Sequence, residues 1–373
     1  MNLQKISYVE HSNTDKCWEF QPFEISKINL IVGKNASGKT RLLKSIHSLS
    51  KILISQKVPF STSNYIANFN IDNETYNYQI KIENRVVQCE ELKINDKTYL
   101  KRNNDGTGEI WGIELNKFIK FKIPDNHIAI SRRDEEQHPF LECLFNWAIN
   151  IRLFKFTQDR DKTTLVVQNE NFSEDPKDLF VLKIFQKGKT EFKSKFTSAI
   201  LKNMNEIGYN LEYIKIDKMS DITLNSPYPT ELSGLVVKEV DCPPKINQVI
   251  MSDGMFRALA IFIHFNYYKM KRISGAILID DIGEGLDFER SSKLIKRLVK
   301  DAKSSNIQLI MSTNDKFVMN SIPLDYWQVL SRNGGSIKIF NKKNSNEKFE
   351  EFKFTGLNNF DFFSSDYINN NEE

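Results

Sequence analysis

The sequence has 373 residues, 40% of them apolar and 27% charged, with a formal net charge of +4, which excludes a disordered chain and supplies two or three domain-sized units. No apolar stretch approaches bilayer length and residues 1–10 lack a signal-peptide layout, so the expectation is a cytoplasmic protein with no membrane partner. Cys17, Cys89, Cys143 and Cys242 have no CxxC spacing and the histidines no ligand spacing, against a disulfide frame or zinc site, and so small a charge is no argument for nucleic acid.

In chain order, Ile28, Leu30, Ile31 and Val32 predict a buried strand running into Gly33, Lys34, Asn35, Ala36, Ser37, Gly38, Lys39 and Thr40, and Leu42, Leu43, Ile46, Leu49 and Leu53 predict the amphipathic helix that follows. This is a phosphate-binding loop. Its glycines let backbone N–H groups close around phosphate oxygens, Lys39 meets the β/γ charge, and the Thr40 hydroxyl is suited to Mg²⁺. The helix dipole assists at the same place.

Residues 64–114 alternate apolar and polar positions, as in Tyr76, Tyr78, Ile80 and Ile82, with turn signals at Asp72-Asn73 and Asp105-Gly106, predicting an antiparallel meander. A strand over 127–131 and a helix over 140–156 are expected next. Residues 157–235 are polar with one helix near 196–207 and no catalytic pattern, and read as an inserted helical arm or lid. The domain expectation is therefore 1–156, the N-terminal core; 157–235, the insert; and 236–373, the C-terminal core.

The core resumes with a strand near 234–240, an almost wholly apolar helix over 256–268 and a strand over 307–311. Between them, Ile277, Leu278 and Ile279 form a buried strand that ends in Asp280 and Asp281, which suits Asp280 to the metal side and Asp281 to polarising an attacking water. Ser252-Asp253-Gly254 precedes the apolar helix; it offers a hydroxyl and free N–H groups to an anion, and Ser252 equally suits an N-cap.

The order of these motifs, with Glu284 to Asp287 after the paired acids and Ser312-Thr313-Asn314 on the next strand, resembles the ABC-type P-loop ATPase superfamily. The wording Ser252-Asp253-Gly254 with Arg257, the Glu90-Glu91-Leu92 strand and the long insert resemble its soluble branch of overcoming-lysogenization-defect, recombination-mediator and chromosome-maintenance proteins, AAA family ATPases of anti-phage defence among them. The resemblance covers the core and leaves the middle region unexplained.

It implies an α/β fold, with an ABC-type core of mixed sheet and helices, an antiparallel β subdomain and the insert. It also implies ATP and Mg²⁺ as cofactors and a head-to-tail homodimer in which Ser252, Asp253, Gly254 and Asp287 complete the site of a partner copy. Residues 33–40 and Arg41 would bind nucleotide, with Lys39 catalytic as well, while Thr40, Asp280 and Gln137 would serve the metal. Asp281 would be the catalytic acid and Asn314 the switch residue. The superfamily usually has Glu at the position of Asp281 and His at that of Asn314, so slow hydrolysis is expected, and Glu284 is a neighbouring alternative base. The functional expectation is an ATPase that senses a stimulus and regulates a separately encoded effector. The segment after Asn314 is too short for a nuclease domain, and Asp361 and Asp366 read as solvated tail. The alternative is a DNA repair or recombination ATPase, with nucleic acid met by Lys183, Lys187, Lys189, Lys193 and Lys195 among Phe185, Phe192 and Phe196. A transporter subunit is disfavoured by the interval between Thr40 and Ser252.

Overall fold

The computed structural model describes residues 1–155, 160–167, 180–219 and 232–368. The chain opens with β1 (Asn2–Glu10), β2 (Trp18–Glu24), β3 (Ile28–Gly33) and α1 (Lys39–Ile54). The meander is β4 (Ser63–Ile71), β5 (Glu74–Glu83), β6 (Val86–Ile94), β7 (Lys97–Arg102), β8 (Thr107–Gly112) and β9 (Lys117–Lys122). Then come α2 (Pro139–Ile149), β10 (Ile151–Lys155), α3 (Arg160–Thr163), β11 (Val166–Val167), α4 (Val181–Phe192), α5 (Ser194–Glu206), β12 (Leu211–Lys218), β13 (Leu232–Glu239) and β14 (Ile246–Asn247). The remainder is α6 (Asp253–Lys271), β15 (Gly275–Asp280), α7 (Phe288–Lys303), β16 (Ile307–Ser312), α8 (Lys316–Ser321), β17 (Trp327–Asn333), β18 (Ser336–Phe340), α9 (Asn346–Lys353) and α10 (Asn359–Ser364).

These elements form two compact units. The first comprises residues 1–153, 274–280 and 308–373, and the second 154–273 and 281–307. Residues 157–235, parts of which lie outside the described residues, thus share a unit with α6 and α7.

In the first unit the strand order runs β10-β15-β16-β3-β17-β18-β2-β1-β4 and on through the meander to β9. β3 lies between β16 and β17, parallel to both, and every residue of β3, β15 and β16 is buried, which is why these segments read as largely apolar runs, with the buried Asn29 and Gln308 hydrogen-bonded. The meander is antiparallel throughout, and its first turn has Asp72 and Asn73 at positive φ, as a tight two-residue hairpin demands. Leu42, Leu43, Ile46, Leu49 and Leu53 of α1 are buried against this sheet's core.

The middle region holds α3 and α4 besides the one helix expected there, α5, and two expected elements of the N-terminal core differ. Residues 129–131 form a short 3-10 turn instead of a strand, because the fully buried Glu90 carboxylate takes the Ala129 and Ile130 N–H groups at 2.6 and 2.8 Å. The helix expected over 140–156 stops at Ile149; Asn150 donates its side-chain amide back to Asn146 O, and the chain continues as β10. Asp361 and Asp366 are not loose tail: Asp361 closes a capping box with Asn358 on α10, and Asp366 pairs with Lys34.

In the second unit α6 packs on α4 and α5, the latter also on β12. All residues from 254 to 268 are buried, as the all-round apolar surface of that helix requires. Phe185 and Phe196 lie in this core, 6.0 Å apart, and Lys183 is buried, so these aromatics do not stand between lysines on an outer face.

Candidate functional site

In the first unit, the carboxyl ends of the neighbouring strands β15, β16 and β3 bring together Asp280, Ser312 and the loop of residues 33–40. Asp280 Oδ1 accepts from Thr40 Oγ1 at 3.1 Å and from Ser312 Oγ at 2.7 Å. Charge-assisted bonds of this kind contribute about 1.5–3 kcal/mol each, and they aim one carboxylate at the hydroxyl that opens α1. Lys39 is buried and donates from Nζ to the Gly33 and Lys34 carbonyls at 2.7 and 3.2 Å, which folds its head over the loop.

The loop's shape has identifiable causes. Gly38, the N-cap of α1, has φ +102, a conformation that side chains rarely adopt, and a Cβ there would also meet Ile337 Cδ1 at 2.5 Å. Ala36 has φ +62 and its carbonyl accepts from Arg332 Nη1 at 2.8 Å. Ser37 Oγ is buried and without a hydrogen bond among the described residues, an orphan that a phosphate oxygen would satisfy. Lys34 and Asn35 are exposed; the Lys34–Asp366 pair, with the lysine 71% exposed, contributes under about 1 kcal/mol. Arg41 lies over the Trp18 ring, 4.3 Å from its centre, and pairs with Glu10. Asn314 follows β16 and is exposed. Gln137 donates to Glu114 Oε2 at 2.8 Å, and its own Oε1 is buried without a hydrogen bond among the described residues.

In the second unit, Ser252 is the N-cap of α6 and accepts from Met255 N at 3.3 Å, a cap worth about 1 kcal/mol. Its side chain also shares a hydrogen bond with Tyr209, whose burial pushes the phenol's pKa up. Gly254 permits a close approach: a Cβ there would run into the Gly285 carbonyl oxygen and meet Leu286 Cδ2 at 2.9 Å. Buried Arg257 donates from Nη1 to Glu284 O at 2.5 Å. Residues 284–287 are thereby pinned to the first turn of α6, and Asp287 caps α7, accepting from Arg290 N at 2.9 Å. Asp281 is half-buried with φ +51, a left-handed turn immediately after the Asp280 strand. Tyr209, Arg332 and Gln248 are contributors that sequence reasoning missed; each arrives from far along the chain and carries no local signal.

No family model and no curated protein matches the sequence. Solved structures do. An Smc head bound to the C-terminal winged-helix domain of ScpA aligns with 91% of this chain and 97% of that one, at a TM-score of 0.52 and 15% identity. An Smc head with an extended coiled coil bound to the C-terminal domain of ScpA, derived from Pyrococcus furiosus, aligns over 94% and 99%, at a TM-score of 0.51 and 13% identity. The fold is that of the Smc heads. No helix among the described residues is long and apolar enough to cross a membrane.

Proposed function

We propose that the chain is an ATPase that binds ATP with Mg²⁺ and works as a head-to-tail dimer, with two nucleotides sandwiched between copies. The observation that carries this reading is the convergence of Thr40 and Ser312 on Asp280 beside a loop that holds an orphaned buried hydroxyl and a folded-back lysine. Thr40 and Asp280 would hold Mg²⁺, which would neutralise charge on the phosphate oxygens when bound; Gln137, the third expected ligand, is engaged instead with Glu114 in the turn after β8. Residues 33–40 and Arg41 bind the nucleotide, Lys39 exchanging its two carbonyls for phosphate. Asp281 positions the attacking water, Asn314 donates a hydrogen bond toward the γ-phosphate, and Ser252, Gly254 and Asp287 act on the nucleotide of the other copy, with Asp253 standing between the first two. Hydrolysis removes the anion that both copies grip, and they part.

In this reading the dimer state is the output, and a separately encoded effector reads it, in the manner of the cytoplasmic defence ATPases that the motifs resemble. That both Smc heads of like fold are bound to a ScpA domain supports a partner chain of some kind. The experiment is turnover and size under ATP: Asp281→Ala loses hydrolysis and accumulates as an ATP-bound dimer. Equal turnover in Asp281→Ala and the parent removes that residue from catalysis.

A further inference from the structure

The turn at residues 160–164 belongs by position to the middle region, yet it is tied to the chain just ahead of Ser252. The tie is Gln248, fully buried, whose Oε1 accepts from Leu235 N at 2.8 Å while Nε2 donates to Lys162 O at 3.0 Å and Thr164 O at 2.9 Å. With its backbone so fixed, Lys162 reaches Asp253 Oδ1 with Nζ at 2.5 Å; the lysine side chain is 19% exposed and the aspartate 69%. That bond is the main influence holding the Asp253 carboxyl below its ordinary pKa, with Arg257 a lesser one. With its carboxylate open to water the pair adds little to stability, so its consequence is to be sought in charge.

Asp253 stands between Ser252 and Gly254, the residues assigned to the other copy's γ-phosphate. A bare carboxylate there repels a triphosphate, and the repulsion grows as closure of the dimer expels water. We infer that Lys162 compensates the charge of Asp253 and so permits the signature segment to close on the nucleotide of a second copy, with Gln248 as the residue that positions it. The inference rests on the sandwich reading of the proposed function. It also draws the middle region into the ATP cycle, since anything that displaces the 160–164 turn uncovers a negative charge at the dimer contact and opposes ATP-driven closure.

The test is the ATP concentration for half-maximal dimerisation by light scattering, in the Asp281→Ala background that traps the dimer. Lys162→Ala is expected to raise it about tenfold or more, while binding of a fluorescent ATP analogue to the monomer and the melting temperature stay unchanged. Lys162→Arg is expected to keep the parent value. In Asp253→Asn, adding Lys162→Ala is expected to shift the midpoint by less than about threefold, since no charge remains to compensate. An unchanged midpoint in Lys162→Ala, or an equal loss with and without Asp253→Asn, overturns the inference and leaves the sandwich standing. Absence of any ATP-driven dimer in the Asp281→Ala parent defeats the sandwich reading itself and the inference with it.

Discussion

The phosphate loop of the first unit and the signature segment of the second are organised in opposite ways. Around the loop, bonds between separate strand ends hold the groups in place: Asp280, Ser312 and Lys39 are all buried. At the signature, Ser252 and Asp253 are exposed, and what is buried lies beneath them, in Gly254, Arg257 and Gln248. A site that must hold a ligand by itself is built in advance, whereas a surface that acts on another molecule keeps its polar groups outside and its positioning groups within.

That contrast can be broken first at the loop. Lys39→Ala removes the cation that the fold has bent over residues 33 and 34, and a loss of about 3 kcal/mol, a hundredfold or more in ATP affinity by calorimetry, is expected with the fold intact. At the signature the sharper perturbation lies under the surface. Gly254→Ala pushes against the Gly285 carbonyl and is expected to destabilise the second unit by about 1–3 kcal/mol, seen as a lowered melting temperature, while monomer ATP affinity is unchanged. The smallest effect is expected far from both sites, at Glu90. Burial raises its pKa, so the folded protein holds the proton to a higher pH than the unfolded chain does; the stability this gives is complete below the unfolded value and lost as pH rises through the folded one. The melting temperature of the parent, measured relative to Glu90→Gln, should therefore fall as pH is raised from about 4; a rise would show that the carboxylate is the favoured form.

The loop and acid strand were legible because their signals are local: an apolar run, a glycine turn and a helical face adjoin at 28–53, and the apolar run from 276 to 279 leads straight into Asp280 and Asp281. The misread strand at 127–131 had the apolar composition of one, but Glu90 claims its N–H groups, a contact between residues far apart in sequence that no periodicity announces. The same limit hid β17, which arrives beside β3 from near the end of the chain, and it hid Tyr209 and Gln248 near the signature. The lysine and phenylalanine run at 183–196 shows the converse: read as a string it interleaves charge with aromatics, but in two amphipathic helices Phe185 and Phe196 turn inward while Lys187, Lys189, Lys193 and Lys195 stay exposed.

The most direct measurement mixes two disabled proteins. Lys39→Ala lacks the loop cation and Ser252→Arg blocks the signature, so each alone should hydrolyse no ATP, whereas a mixed pair retains one intact loop facing one intact signature and should regain turnover. Silence in the mixture, or full turnover by Ser252→Arg alone as a monomer, would contradict a nucleotide shared between two copies.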